Sequence, residues 1–353
     1  MENIKSYIKE LCSVMTVSGF EHRNKQKILK LGEKIFDEAI TDKVGSYLFV
    51  KRSKKENAPR ILIDAHIDEI GFVVSEICDG GFLKFSSVGG LDAHVLQGAE
   101  VTVFGKQKFF GIITSTPPHL LTQETKNKLE KPEQLYIDTG YSKAALENLV
   151  SVGSPVSFCE KCISLSNNIL CGHGFDNKVC CASALDAISN VSAEELAFDV
   201  YLLFSCREEY GGFVGAQTGA DRAKAHLAIS LDVNFARAPK IDETLSLKMG
   251  EGYSVSLSAV TSRKFTKKII EISTQNNLPY QTVAESNNVG TNGNVLGLSN
   301  FGIPCVDLGI PLGSMHTFSE TVSLYDCKSL SRLLSVIICD TSLASEVYDA
   351  RKN

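Results

Sequence analysis

Two adjacent glutamates, Glu208 and Glu209 in FSCREEYGG, close an apolar run that reads as a strand, and four other metal-seeking side chains stand at comparable strand or loop ends. They are His66 in LIDAHIDEIG, Asp176 in GHGFDNK, Asp232 in LAISLDVN and His316 in LGSMHTF. Imidazoles and carboxylates without a cysteine suit divalent ions such as zinc, cobalt or manganese, not an iron-sulfur cluster or a structural zinc. A pair of such ions about 3.5 to 4 Å apart can hold a water between them and polarise a carbonyl, which is chemistry suited to a peptide bond.

Three of these positions follow apolar strands: 61–65 before His66, 200–204 before the glutamates and 227–231 before Asp232. Open α/β sheets bind ligands beyond the carboxyl ends of their strands, so residues far apart in sequence can converge there. Taken singly, a strand-end His or Asp is explained as a turn former or a cap; the set as a whole is not. Asp68, two residues after His66, is placed to hydrogen-bond the second imidazole nitrogen and fix the ring, with a helix or turn cap as the alternative. Glu208 and Glu209 cannot easily point the same way, so one serves as ligand and the other as free base. Gly211 and Gly212 behind them suggest that something approaches the backbone. His22, His94, His119 and His226 lie without paired carboxylates and read as structural, whereas His173, three residues before Asp176, can stand behind the ligands. The stretch NNVGTNGNVLG (287–297) lacks both a P-loop ending and a GxGxxG pattern, and reads as a turn that lets backbone approach the site.

The elements that must position these groups follow from length and pattern. At 353 residues, 43% of them hydrophobic, the chain suggests two domains or one large domain carrying an insertion. A net charge of −5 and a pI near 5.9, with dispersed Lys and Arg, offer no surface to a phosphate backbone, so nucleic acid is not expected as a partner. No apolar run reaches the roughly 18 to 20 residues of a membrane span, and MENIKSYIKELC reads as an amphipathic helix, not a signal peptide. Eleven scattered cysteines, an odd number, read as reduced small hydrophobes of a cytoplasmic protein, the lone Cys159/Cys162 CxxC included.

The spacing predicts helices near the start and over 21–36, then strands at 46–50 and 60–65. From 72 to 163 short apolar or alternating runs punctuated by glycines take over, with one helical stretch at 142–148 and a polar, proline-flanked excursion at 117–133. After Asp176 helix and strand alternate again: helices at 178–191, after 212, at 263–277 and at 324–346, and strands at 198–205, 227–231 and near 280 and 305. Residues 1–71 and 164–353 are therefore expected to form one α/β domain, interrupted by a small β domain at 72–163.

The motifs AHIDEIG, GFDNK, REEYGG, SLDV and MHTFSE, in this order, resemble the dinuclear-metal aminopeptidases of the glutamyl aminopeptidase and tetrahedral (TET) aminopeptidase family, some of which have carried the label endoglucanase. The similarity runs over nearly the whole chain, including TVSGFEHR, PPHLL, YIDTGYS and VGSPVSF. The resemblance implies two divalent metal ions, zinc or cobalt first and manganese next, with His66 and Asp232 on one, Glu209 and His316 on the other, and Asp176 bridging. It implies Glu208 as general base and Asp68 as the residue orienting His66. It further implies a mixed-sheet α/β bimetallic exopeptidase domain, an inserted β domain that joins subunits into homo-oligomers of up to twelve, a cis peptide after Asp176, and short peptides cut from their amino ends. Departures from the family pattern are Asn292 in GTNG, where many members read GTDA, Gly313 and Ser314 before Met315, Phe318 after Thr317, and Arg207 and Phe213 around the glutamates. None is a ligand, so they bear on substrate preference. Two other functions fit parts of the pattern: a glycoside hydrolase working with two carboxylates, against which stands the lack of any Trp to stack on a sugar, and a non-catalytic assembly protein, against which stands the intact Glu208.

Overall fold

The computed structural model describes residues 2–120, 130–243, 246–285 and 290–350. Helices α1 (Glu2–Cys12) and α2 (Lys25–Gly32) precede strands β1 (Glu38–Thr41), β2 (Tyr47–Lys51) and β3 (Arg60–His66). Next come β4 (Gly71–Ile77), β5 (Phe82–Val88), β6 (Glu100–Phe104), β7 (Lys108–Thr114), β8 (Tyr136–Asp138), α3 (Lys143–Leu149) and β9 (Pro155–Phe158). The chain continues through β10 (Cys162–Ser164), β11 (Ile169–Gly172), α4 (Phe175–Ser189), β12 (Asp199–Ser205), α5 (Val214–Ala223), β13 (Leu227–Phe235) and β14 (Tyr253–Leu257). It ends with α6 (Arg263–Gln275), β15 (Tyr280–Ala284), α7 (Gly293–Leu296), β16 (Cys305–Gly313), β17 (Glu320–Ser323), α8 (Leu324–Cys339) and α9 (Thr341–Ala350).

One large sheet runs in the order β1-β2-β12-β3-β13-β16-β17-β11-β10, with β14 on β16 and β15 on β14. Its centre, β12-β3-β13-β16, is parallel, while β2, β17 and β14 join that centre antiparallel and β15 lies parallel to β14, giving the mixed sheet expected. Parallel strands are covered on both faces and read as continuous apolar runs, as in RILIDAH, whose residues from Ile61 onward are all buried. On one face α4, buried from Phe175 to Ile188, packs with Ile61, Ile63, Leu202 and Ile229. On the other, Ala216, Ala220 and Ala223 of α5 lie against Leu62, Leu203 and Ala228.

The inserted domain is a closed barrel, β4-β5-β8-β7-β6-β9, centred on Phe72 with edge-on contacts to Phe85 (4.8 Å) and Phe158 (5.3 Å). Gly71, where the chain enters it, has no room for a side chain: a Cβ there would lie 2.8 Å from the Val156 carbonyl. The barrel strands end at Phe158, and the boundary expected at 163 falls within β10, which pairs with β11 in the main sheet. Residues 121–129 of the 117–133 excursion lie outside the described residues, as do 287–289 of the glycine-rich stretch.

Two expected helices are divided. Over 21–36 a 3₁₀ turn, Glu21–Asn24, precedes the shorter α2. Over 324–346 the helix breaks at Asp340, whose carboxylate accepts the Leu343 N–H at 2.8 Å and starts α9. Strand β14 was not expected at all; its sequence, YSVSL, alternates serine with apolar residues although both faces are buried at all but the last position. No described helix is long and apolar enough to cross a membrane, and all eleven cysteines are free.

Candidate metal centre

Pairing between β3 and β13 ends at Ala65 with Leu231, and the next residue on each strand is His66 and Asp232. Glu208 and Glu209 lie in the turn after β12, the third of these parallel neighbours. Asp176 enters from the first turn of α4, where the Asp176–Asn177 peptide is cis and Asn177 Nδ2 donates to the Leu231 carbonyl at 2.7 Å. His316 sits in the loop after β16 with φ +61°.

The six side chains meet. His66 Nε2 lies 3.1 Å from Asp176 Oδ1, 3.6 Å from Asp232 Oδ1 and 3.9 Å from Glu208 Oε2. His316 Nε2 lies 3.4 Å from Asp176 Oδ2 and 3.3 Å from Glu209 Oε2. Asp176 thus sets one oxygen toward each imidazole, with Asp232 on the His66 side and Glu209 on the His316 side. His66, Asp176 and Glu209 each offer a donor atom within 4.8 Å of the others.

Asp68 touches His66 otherwise than expected. Its backbone carbonyl takes His66 Nδ1 at 3.0 Å, while its carboxylate is 3.8 Å away. A carbonyl only accepts, so Nδ1 donates to it, and Nε2 is the ring nitrogen left to face the cluster. The Asp68 carboxylate instead accepts the backbone N–H groups of Glu208 and Glu209, both at 3.1 Å. It orients the glutamate pair as well as adjoining the ring. Sequence reasoning missed Glu320, whose carboxylate accepts from His316 N at 3.0 Å and from Phe175 N at 2.8 Å and Asp176 N at 3.3 Å, tying the main chains of two site residues together. Its signal was a lone acid four residues after His316. His173 does stand behind the site: Nδ1 faces the Thr317 carbonyl at 3.3 Å, beside His316. The expectation that something approaches the backbone at Gly211 and Gly212 is not met by the protein itself. A Cβ on Gly211 would meet nothing within 4 Å, and its φ of +84° is the reason for glycine there.

Electrostatically the cluster demands positive charge. Burial, then Asp232, Asp176 and Asp68, push the Glu208 carboxyl up to about 9, and burial with Asp176 beside it raises Glu209 well above the usual carboxylate range. Burial alone would raise Asp176 too, but the hydrogen bonds from His316 and His66 hold it well below normal. Burial disfavours charged His66, yet Glu208, Asp176 and Asp232 raise its pKa well above that of a free imidazole.

Among the described residues no Lys or Arg pairs with Asp176, Glu208, Glu209 or Asp232, whose partners are imidazoles. Glu209 Oε1 is buried without a hydrogen-bond partner. Buried carboxylates are tolerated only when paired or bound to metal, so this donor set of two imidazoles and four carboxylates fits divalent cations. Asn292, the departure in GTNG, lies behind the site: its amide donates to Asp64 Oδ2 at 2.8 Å and Ser205 Oγ at 2.9 Å.

The family model for M42 glutamyl aminopeptidase matches residues 45–333. Glutamyl aminopeptidase of Lactococcus lactis subsp. cremoris is 26% identical over 98% of both chains. Among solved structures, a TET aminopeptidase from the marine sediment archaeon Thaumarchaeota archaeon SCGC AB-539-E09 superposes with a TM-score of 0.90 at 28% identity, covering 98% of this chain and 99% of that one. The Pyrococcus horikoshii TET1 peptidase, described as assembling into a tetrahedron or a large octahedral shell, superposes at 0.82 with 26% identity over 95% of this chain and 99% of that one.

Proposed function

Because the chain belongs to the M42 glutamyl aminopeptidase family of metalloaminopeptidases, we propose that it removes N-terminal residues from short peptides, with His66 and Asp232 holding one divalent ion, Glu209 and His316 a second, and Asp176 between them. The observation that carries this reading is the position of Asp176, one oxygen 3.1 Å from the His66 imidazole and the other 3.4 Å from that of His316. Two zinc or cobalt ions, when bound, would supply Lewis acidity to a substrate carbonyl and to water.

The chain's own residues do the rest. Glu208, no ligand in this reading, takes a proton from the attacking water at its carboxylate and returns it to the leaving amine, as a general base and then acid. Asp68 holds the glutamate pair through their amides, so that Glu208 starts in position. The acidic cluster also favours a substrate with a free ammonium end, since an acetylated end carries neither charge nor lone pair for it. Asn292, Gly313 and Phe318 are proposed to shape the choice of first residue. Homo-oligomer formation through the barrel belongs to the same proposal.

Matched peptides test the direction of attack. Those with a free amino end and an amidated carboxyl end should be shortened one residue at a time in a mass-spectrometric time course, and N-acetylated copies should resist. Internal cleavage, or equal rates for both sets, would sink the exopeptidase reading and leave a two-metal hydrolase standing. Running a set of aminoacyl substrates on apo protein refilled with zinc, cobalt or manganese then assigns both metal and preferred residue.

A further inference from the structure

Two adjacent cysteines of α4, Cys180 and Cys181, are fully buried directly behind the site. Cys180 Sγ donates to the Asp232 carbonyl at 3.2 Å, and Cys181 Sγ donates to the His66 carbonyl at 3.3 Å, with Ala65 O next at 3.7 Å. Neighbouring residues on a helix point about 100° apart, and neighbouring strands lie about 4.8 Å apart. A helix crossing two strands can therefore send one of two adjacent side chains to each. Here they reach β13 and β3 at the first residues beyond the last ladder pair, Leu231 with Ala65. That is where β3 and β13 part: His66 stays paired with Ser205 of β12 and Asp232 with Gly309 of β16, so each thiol reaches a residue that the sheet holds from one side.

Resting on the metal-centre reading above, we propose that Cys180 and Cys181 are positioning residues: their thiols clamp the main chains of Asp232 and His66 and so fix the two side chains proposed to share one metal ion. The same helix carries Asp176 four and five residues earlier, so one rigid element sets three ligands relative to each other. Cysteine is also a common small filler of apolar cores, and the two roles separate by chemistry: serine keeps the donor, valine keeps apolar bulk and loses it.

The test is zinc affinity by chelator competition on the full-length parent, Cys180→Ser, Cys180→Val, Cys181→Ser, Cys181→Val and His66→Ala, each with the thermal midpoint of its apo form. The valine variants are expected to bind zinc about tenfold or more weakly, the usual cost of removing a group that orients a ligand. Their apo midpoints should stay near the parent's, and the serine variants should bind like the parent. Where a valine variant does not fold, the alanine variant takes its place beside serine. Valine variants that bind like the parent, or serine variants that weaken as much as valine, overturn the clamp and leave packing alone. Full affinity in His66→Ala overturns the metal-centre reading and the clamp with it, so the two failures are told apart.

Discussion

Glu208 is the residue whose chemistry can be separated most cleanly from metal holding. Its Oε2 lies 3.9 Å from His66 Nε2, farther than Asp176 or Asp232, and burial among acids pushes its carboxyl up to about 9. Glu208→Gln keeps size and polarity and removes the ability to carry a proton. Both metals should remain bound while the rate drops by about 10² to 10⁴, the usual worth of general acid-base catalysis. Metal analysis and kinetics on one sample decide it, and loss of metal together with activity would mean that residues 208 and 209 have exchanged roles. At this scale the sequence was legible where a side chain acts on a side chain. His66, Asp176, Glu209, Asp232 and His316 all sit at element ends, and the sheet brings them together. Contacts to backbone were not legible: Asp68 reaching the amides of Glu208 and Glu209, and Glu320 reaching those of Phe175, Asp176 and His316. An amide is the same at every position, so nothing in the sequence marks which one a carboxylate will meet.

At the scale of elements, the turn before β14 is held by a charge on α8. Asp326, in the helix's first turn, accepts the N–H groups of Gly250 at 2.7 Å and Gly252 at 2.8 Å. Burial pushes its carboxyl up to about 6 against these two hydrogen bonds, and Glu251 adds to the rise. The folded value lies above the ordinary one of about 3.9, so between the two the folded state holds more protons than the unfolded. Stability from this group is then full below about pH 4 and is lost as pH rises through about 6, by at most about 3 kcal/mol. Asp326→Asn cannot ionise. The difference in unfolding free energy between variant and parent should move in the variant's favour by up to that amount from about pH 4 to pH 7, measured by denaturant titration. Every other titrating group is common to both proteins, so a pH-independent difference would refute the assignment. Elements that are mostly apolar along their length, such as α4 and β3, were readable in the chain. Strand β14 was not, because its serines are buried, and one of them, Ser254, donates its hydroxyl to Asn234 Oδ1 at 2.5 Å. A buried polar position and a solvent-facing one look alike in sequence.

For the whole molecule, the question is what the barrel is for. Its strands pack a closed core around Phe72, yet β7 alternates in the reverse sense of need: Phe109, Gly111 and Ile113 face inward, while Phe110 and Ile112 face outward at 51% and 43% exposure. The sequence alone announced the insertion, through its change of period, but a strand that is apolar on both faces does not say which face is spare. Closing the barrel settles it, because only one face fits inside. Two large apolar side chains on the outer face of one strand are the kind of surface that self-association covers. If subunits join through this face, the double variant Phe110→Asp, Ile112→Asp places charge on the contact without disturbing the barrel interior. Light scattering should then report a lower mass per particle, with the circular dichroism spectrum unchanged and the His66–Asp176–His316 centre, on the other domain, still binding metal. An unchanged mass would move the subunit contacts off β7, and a changed spectrum would mean that Phe110 and Ile112 support the barrel itself.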